Sequence, residues 1–422
     1  MTGPRRIAGL VVVFAAILAV LPAPAEQAPV FDWEAGLETA AAFSDSGSGS
    51  VFGSRDRLTL SLRVTRGLWG GTLSAGIAGG LAYTPQEAGS GEPVSEALRV
   101  YPGPAGIAWE SLPPWSVSPW FRASLGRIEA REPTNLLFYD PGALHPAQLM
   151  DGLEFEFRLR RFYAAAQTGY LGFLDRRLNR VLLSAADRAE YEDPSVYAAP
   201  RRLLSLVRLE AESPAFRQDA GIFGIWQKDF RPAPEGFDSW YFGLAVSGPV
   251  SGRVRHESCA VLSLSRPAAG GTGAGILAHV RAGYDLTGTP FTEAWFSALW
   301  ASGGSGGLEA FPELAGPPVS LLYAEPASDV VRLELGIRAE PAVPPGGARL
   351  DAGLAARLIL VPSGVLQGAY SFAPSGAYAG TELELSLGYQ PLPGLRFSSR
   401  AGALLTPEGP LPGLRISAEV QL

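Results

Sequence analysis

The feature that most constrains this chain is strict two-residue alternation. It is cleanest over Asp151–Phe173, DGLEFEFRLRRFYAAAQTGYLGF. Leu153, Phe155, Phe157 and Leu159 take one parity, and Glu154, Glu156, Arg158 and Arg160 take the other. Side chains on an extended strand point to opposite faces in turn, so this is a strand with one greasy face and one charged face. A tight reversal is expected around 160–162. A paler strand of Ala, Gln, Thr, Gly, Tyr and Leu follows it. Such a hairpin asks for an apolar environment on one side and water on the other.

The plan repeats along the chain. In the stretch 57–66, Leu58, Leu60, Leu62 and Val64 alternate with Arg57, Thr59, Ser61, Arg63 and Thr65. The pattern predicts about eighteen strands, or sixteen if weak neighbours merge. The first is expected over 32–42, a weak fourth near 105–111, the fifth over 115–128 and the last over 414–422. The polar run SDSGSGSVFGSRD and the stretches 84–104, 129–150, 174–200 and 302–328 read as long loops. Between them fall short turns, so the connections run long, short, long, short.

Composition narrows the class. Hydrophobic residues make up 47% of the 422 and charged residues only 18%, against about 25% charged in a typical soluble domain. Beyond the N-terminus the sequence has no apolar run of about 18 residues, which excludes a bundle of membrane helices. Residues 1–25, MTGPRRIAGLVVVFAAILAVLPAPA, place Arg5 and Arg6 before an apolar core and end in Ala23-Pro24-Ala25. That is the pattern of a cleaved secretory signal peptide, leaving residues 26–422 as one mature β domain. The net charge of −7 gives no basic footprint for nucleic acid. Lys228 is the only lysine. The dominance of Arg fits either genome composition or guanidinium groups lining a pore.

Signals for chemistry are sparse. Cys259 is alone, so it forms neither an internal disulfide nor a thiolate cage. His145, His256 and His279 lack ligand spacing, and neither an HExxH nor a G-x-S-x-G motif occurs. GGTGAG at 270–275 lacks the Lys-Ser/Thr of a phosphate loop. No metal site and no cofactor are expected, and the chain does not read as an enzyme.

The C-terminal run LRISAEVQL alternates Leu414, Ile416, Ala418, Val420 and Leu422 to the last residue. It resembles the terminal strand read by the barrel-assembly machinery of the outer membrane, although such strands usually end in Phe or Trp. With the loop rhythm and the spread of apolar residues, the whole mature chain resembles the large outer-membrane porins of 16–18 strands. The resemblance implies an antiparallel up-and-down barrel with short periplasmic turns and long external loops. It also implies passive diffusion of small hydrophilic solutes through a wet lumen. Candidate lumen-lining residues are Glu154, Glu156, Arg158, Arg160, Arg57, Arg63, Arg253 and Arg255. The loop after the fifth strand, with Glu129, Arg131, Glu132 and Asp140, is the candidate constriction. Three alternatives stay open. One is a surface adhesin or scaffold with an occluded lumen. The second is a soluble secreted β protein. The third is a barrel hydrolase built on His256.

Overall fold

In the computed structural model the described residues are 30–45, 50–66, 69–84, 95–102, 105–111, 119–134, 136–137, 149–171, 202–213, 217–230, 237–267, 271–286, 289–303, 311, 329–341, 348–364 and 376–421. The expected leader and Asp140 lie outside them.

Every described regular element is a β-strand. The first nine are β1 (Val30–Asp45), β2 (Ser50–Arg66), β3 (Trp69–Thr84), β4 (Ser95–Pro102), β5 (Ala105–Ser111), β6 (Trp120–Glu129), β7 (Leu149–Leu159), β8 (Phe162–Leu171) and β9 (Arg202–Ser213). Then come β10 (Gln218–Asp229), β11 (Phe237–Ser251), β12 (Val254–Pro267), β13 (Gly273–Asp285) and β14 (Phe291–Ala301). The chain finishes with β15 (Val330–Ala339), β16 (Arg349–Leu360), β17 (Tyr378–Leu392), β18 (Leu395–Thr406) and β19 (Gly409–Gln421).

Apart from β4 and β5, strands adjacent in sequence pair antiparallel, and β1 pairs with both β2 and β19. The sheet therefore closes on itself. β4 and β5 both pair with β3, at Ile77–Thr84 and at Trp69–Ser74, so they are two lengths of one barrel strand. Nineteen elements thus make an 18-stranded up-and-down barrel. Closure removes the open ends of the sheet, which is what a membrane-spanning sheet requires.

The structure redraws some expected boundaries. The fourth strand begins at Ser95, inside the stretch read as the loop 84–104. The Gly/Ser run after the first strand is strand up to Asp45 and again from Ser50. The fifth begins at Trp120 rather than at 115, and the last at Gly409 rather than at 414. The alternation of connections holds over most of the barrel, but at the long-loop end β1 and β2 are joined through residues 46–49, β12 and β13 through 268–272, and β18 and β19 through 407–408.

The pleat sorts the two faces as the alternation requires. Leu153, Phe155 and Phe157 stand 40%, 48% and 37% exposed on the outside, beside outward Leu, Ile and Phe residues of the neighbouring strands. Leaving such side chains in water rather than burying them costs roughly 1.5–3 kcal/mol each, so the outer face calls for an apolar surrounding. Trp69 stacks on Trp109 at the short-turn end, with centroids 4.6 Å apart, and Phe121 meets Trp109 edge-on. Trp226 pairs directly with Trp240 near the other end.

Departures from regular pairing have local causes. The β11–β12 register shifts between Pro249 and Ser251, where proline cannot donate to the ladder. At the β7–β8 turn Arg160 takes φ 54°, the conformation a two-residue hairpin demands.

Closure has a direct test. Leu37 and Val420 are register partners across the β1–β19 seam. Opposed antiparallel residues have Cα atoms about 4.5–5.5 Å apart, within disulfide range. With Cys259→Ser as background, Leu37→Cys plus Val420→Cys is expected to oxidise readily and to change gel mobility. An open sheet would leave both thiols free.

Candidate functional site

The inside of the barrel is two different surfaces. From β9 to β16 the inner face carries Leu204, Leu206, Phe223, Ile225, Tyr241, Val261, Leu277, Leu299 and Ile359, all buried in one apolar cluster. Loop residues cover them. Ala130, Leu136 and Leu137, from the connection after β6, belong to the same cluster, as does Phe311 from the β14–β15 connection. Phe311 meets Tyr241 edge-on at 6.0 Å, and its backbone N–H donates to the Ser302 carbonyl. On the β2–β6 wall the corresponding positions are small or polar: Thr59, Ser61, Thr72, Ser74, Ala108 and Ser124.

The loop 130–137 is pinned from within by Glu132, which is 2% exposed. Its carboxylate accepts from the Thr134 backbone N–H and hydroxyl and, at 3.1 Å, from the Leu137 N–H. Burial pushes the Glu132 carboxyl above the ordinary carboxylate range, against the pull of these donors. The base of the loop is tied to the wall in a relay. The Arg131 N–H donates to Gln167 Oε1, and Gln167 Nε2 donates to Glu154 Oε1.

Beneath the loop the register brings four glycines side by side. Gly106 faces Gly126, Gly126 faces Gly152, and Gly152 faces Gly169. A Cβ on Gly152 would sit 2.0 Å from the Thr168 carbonyl oxygen, and Gly126 has φ 136°. The strands can approach this closely only where side chains are missing. A cavity of about 240 Å³ lies beside Gly106, against Thr72, Ser74, Ser124, Arg122, Arg131 and Glu154.

Several charged side chains of the inner wall stand in pairs. Arg63 meets Glu110 at 2.6 Å and Arg122 meets Glu156 at 3.6 Å. Arg202 meets Asp229 at 3.3 Å and Arg281 meets Glu293 at 3.2 Å. Arg357 bridges three carboxylates, Glu334, Glu382 and Glu384, at 2.6–2.7 Å. Trp295 Nε1 also donates to Glu334, and Arg400 stands 3.8 Å from Glu384.

The candidates from the sequence fall in several places. Glu154 and Glu156 are half-buried on the inner face, Glu156 accepting from the Tyr163 hydroxyl. Arg158 lies over the rings of Trp120 and Tyr163, at 6.0 and 5.5 Å. Arg63 is partnered as above. Arg160 and Arg253 occupy short turns, and Arg255 is exposed just inside β12. Glu129 ends β6. The side chains of Arg57, Glu129 and Asp140 lie outside those described. Sequence reasoning missed the Arg357 cluster, the glycine row and Phe311. His256 stands opposite Gly248 and Ala282, so neither flanking strand sets a hydroxyl or carboxyl directly across from it. His279 Nε2 does meet Ser297 Oγ at 3.0 Å, but Ser297 is 3% exposed and closed to a substrate.

No family model matches the chain, and no curated protein matches it. Solved structures do. Pseudomonas aeruginosa OccK5 (OpdH) superposes with a TM-score of 0.57 at 14% identity, over 93% of this chain and 98% of that one. The outer membrane protein OpdK of the same organism gives 0.57 at 14%, over 93% and 99%. OccD3 (OpdP), also from Pseudomonas aeruginosa, gives 0.54 at 12%, over 92% and 91%.

Removing the Glu132 acceptor tests the loop. Glu132→Ala strands two amide donors and a hydroxyl, at about 1–3 kcal/mol for each buried group left unsatisfied. Hydrogen exchange at Leu137 should accelerate while the strands stay protected. The pH dependence has a definite sign. A carboxyl raised in the folded state binds its proton more tightly there, so the loop is held best below the ordinary value of 4.5. It loosens as pH climbs from there through the raised value. A spin label at Pro133 should report that loosening, and Glu132→Gln should abolish it.

The chain therefore shares, over nearly its whole length, the fold of these outer-membrane β-barrels.

Proposed function

We propose that the chain is an outer-membrane channel of the porin type, passing small hydrophilic solutes by passive diffusion. The observation that carries this is the inversion of polarity. The closed barrel turns a continuous apolar surface outward; inward, beside the loop-covered apolar cluster of β9–β16, it turns charged and hydroxyl side chains. A bilayer outside and water inside satisfy both faces at once. Eighteen strands enclose a lumen too wide for wall side chains to fill. OpdK, similar in fold, is named as an outer membrane protein and also has a structure with vanillate.

On this reading Glu154, Glu156, Arg158 and Arg63 line the aqueous path. The loop 130–137 narrows it, with Phe311 filling the opposite side. The leader at 1–25 directs export and is removed, and the alternating C-terminal strand is what the barrel-assembly machinery reads. The seam pairing of Leu37 with Val420 gives that strand its structural task.

A second reading is a barrel whose occluded lumen only displays loops to partners. The apolar cluster filling the β9–β16 side favours it. Planar-bilayer recording of the purified protein separates the two. The channel reading expects discrete conductance steps, enlarged severalfold when 131–137 are replaced by a short Gly/Ser link. A folded barrel with no conductance, in both wild type and loop variant, would overturn it in favour of display.

A further inference from the structure

The pairing of wall charges goes one step further and rests on the channel reading above. Arginine on a pore wall attracts anions only if its charge is uncompensated. Here many described inner-wall arginines stand with carboxylates: β2 with β5, β6 with β7, β9 with β10, β13 with β14, and β16 with β15 and β17, while Arg255 near the short-turn mouth has none opposite it. Arg396 of β18 adds a looser pair with Asp351, at 3.8 Å. A bare charge acts over about 8–10 Å at physiological salt, whereas the field of a close pair falls off faster.

Arg158 and Arg338 differ. They lie over aromatic faces, Arg338 at 6.0 Å from Trp295, and both sit toward the short-turn mouth, away from the loop. Near the loop the wall adds hydroxyls beside Arg122, Arg131 and Glu154. Thr72, Ser74 and Ser124 line the 240 Å³ cavity, and the Ser124 hydroxyl is buried without a hydrogen-bond partner.

We infer that this lumen discriminates weakly by charge and that its solutes are uncharged or internally balanced polar molecules, rich in hydroxyl or amide groups, that exchange hydrogen bonds with the hydroxyl wall beside the loop.

The test uses the full mature protein in planar bilayers under a KCl gradient. The expected anion-to-cation permeability ratio lies within about twofold of unity. Glu156→Gln, which releases Arg122, and Glu110→Gln, which releases Arg63, should each move it toward anions. Two separate substitutions guard against one failing to fold. In liposome swelling, neutral sugars should enter at least as fast as singly charged solutes of equal size. A conducting wild-type pore with strong preference for either sign overturns this inference and leaves the channel reading standing. So does an unchanged ratio in both folded variants. Absence of conductance overturns the channel reading, and this inference with it.

Discussion

One constraint governs the molecule: a sheet whose last strand bonds to its first. Once β19 pairs with β1, the sheet has no open end, and its backbone ladders find their partners within the wall whatever lies outside. Closure also fixes parity. A one-residue slip of β7 would turn Leu153, Phe155 and Phe157 inward and Glu154 and Glu156 outward. The long ladders set by β1–β2 and β11–β12 hold register against that slip.

Closure alone would leave a wide, featureless tube. What shapes the interior is a division of its wall. On β9–β16 large apolar residues face inward and would be poor neighbours for water, so they bury Leu136, Leu137 and Phe311 instead. On β2–β6 small and hydroxyl-bearing residues face inward, and a cavity of about 240 Å³ remains there beside Arg122, Arg131 and Glu154. Any free passage is thereby pushed toward one wall. Glu132 makes this arrangement possible. A loop folded into a barrel needs its amide groups satisfied, and one carboxylate satisfies those of Thr134 and Leu137.

Much of this was legible in the sequence. The alternation at 153–159 and 58–64 predicts strands because one face meets apolar matter and the other meets water. The rhythm of connections predicts the topology. The stretch 40–55 misleads because Gly, Ser and Ala carry no facial pattern. There the hydrogen-bonded partner, rather than the side chains, extends the strand. Leu98 and Val100 do alternate with Arg99 and Tyr101, but Pro102, Gly103 and Pro104 interrupt them and disguise β4 as loop. The apolar inner wall left a trace as well. β9 reads RLLSLVRLEAES, with Leu203, Leu204, Leu206, Val207 and Leu209 on both parities. A strand greasy on both faces is a strand covered on both faces, and the cover on the inside is loop.

Relations across strands are what one sequence withholds. Gly106, Gly126, Gly152 and Gly169 are ordinary taken singly, and each is 17 to 26 residues from the next. Only register makes them a line along which the strands can approach closely, just below the point where 130–137 turns inward. The same holds for charge. Glu382 and Glu384 beside Thr381 and Leu383 read as a solvated strand face, yet Glu382 is fully buried because Arg357 stands directly across. A planar guanidinium can donate to several carboxylates at once, where an ammonium is a single point charge. Removing one member of such a buried cluster strands the others, at about 3–5 kcal/mol. The arginines of this wall therefore act first as parts of the barrel, and their charge reaches the lumen only to the extent that their carboxylates leave it uncancelled.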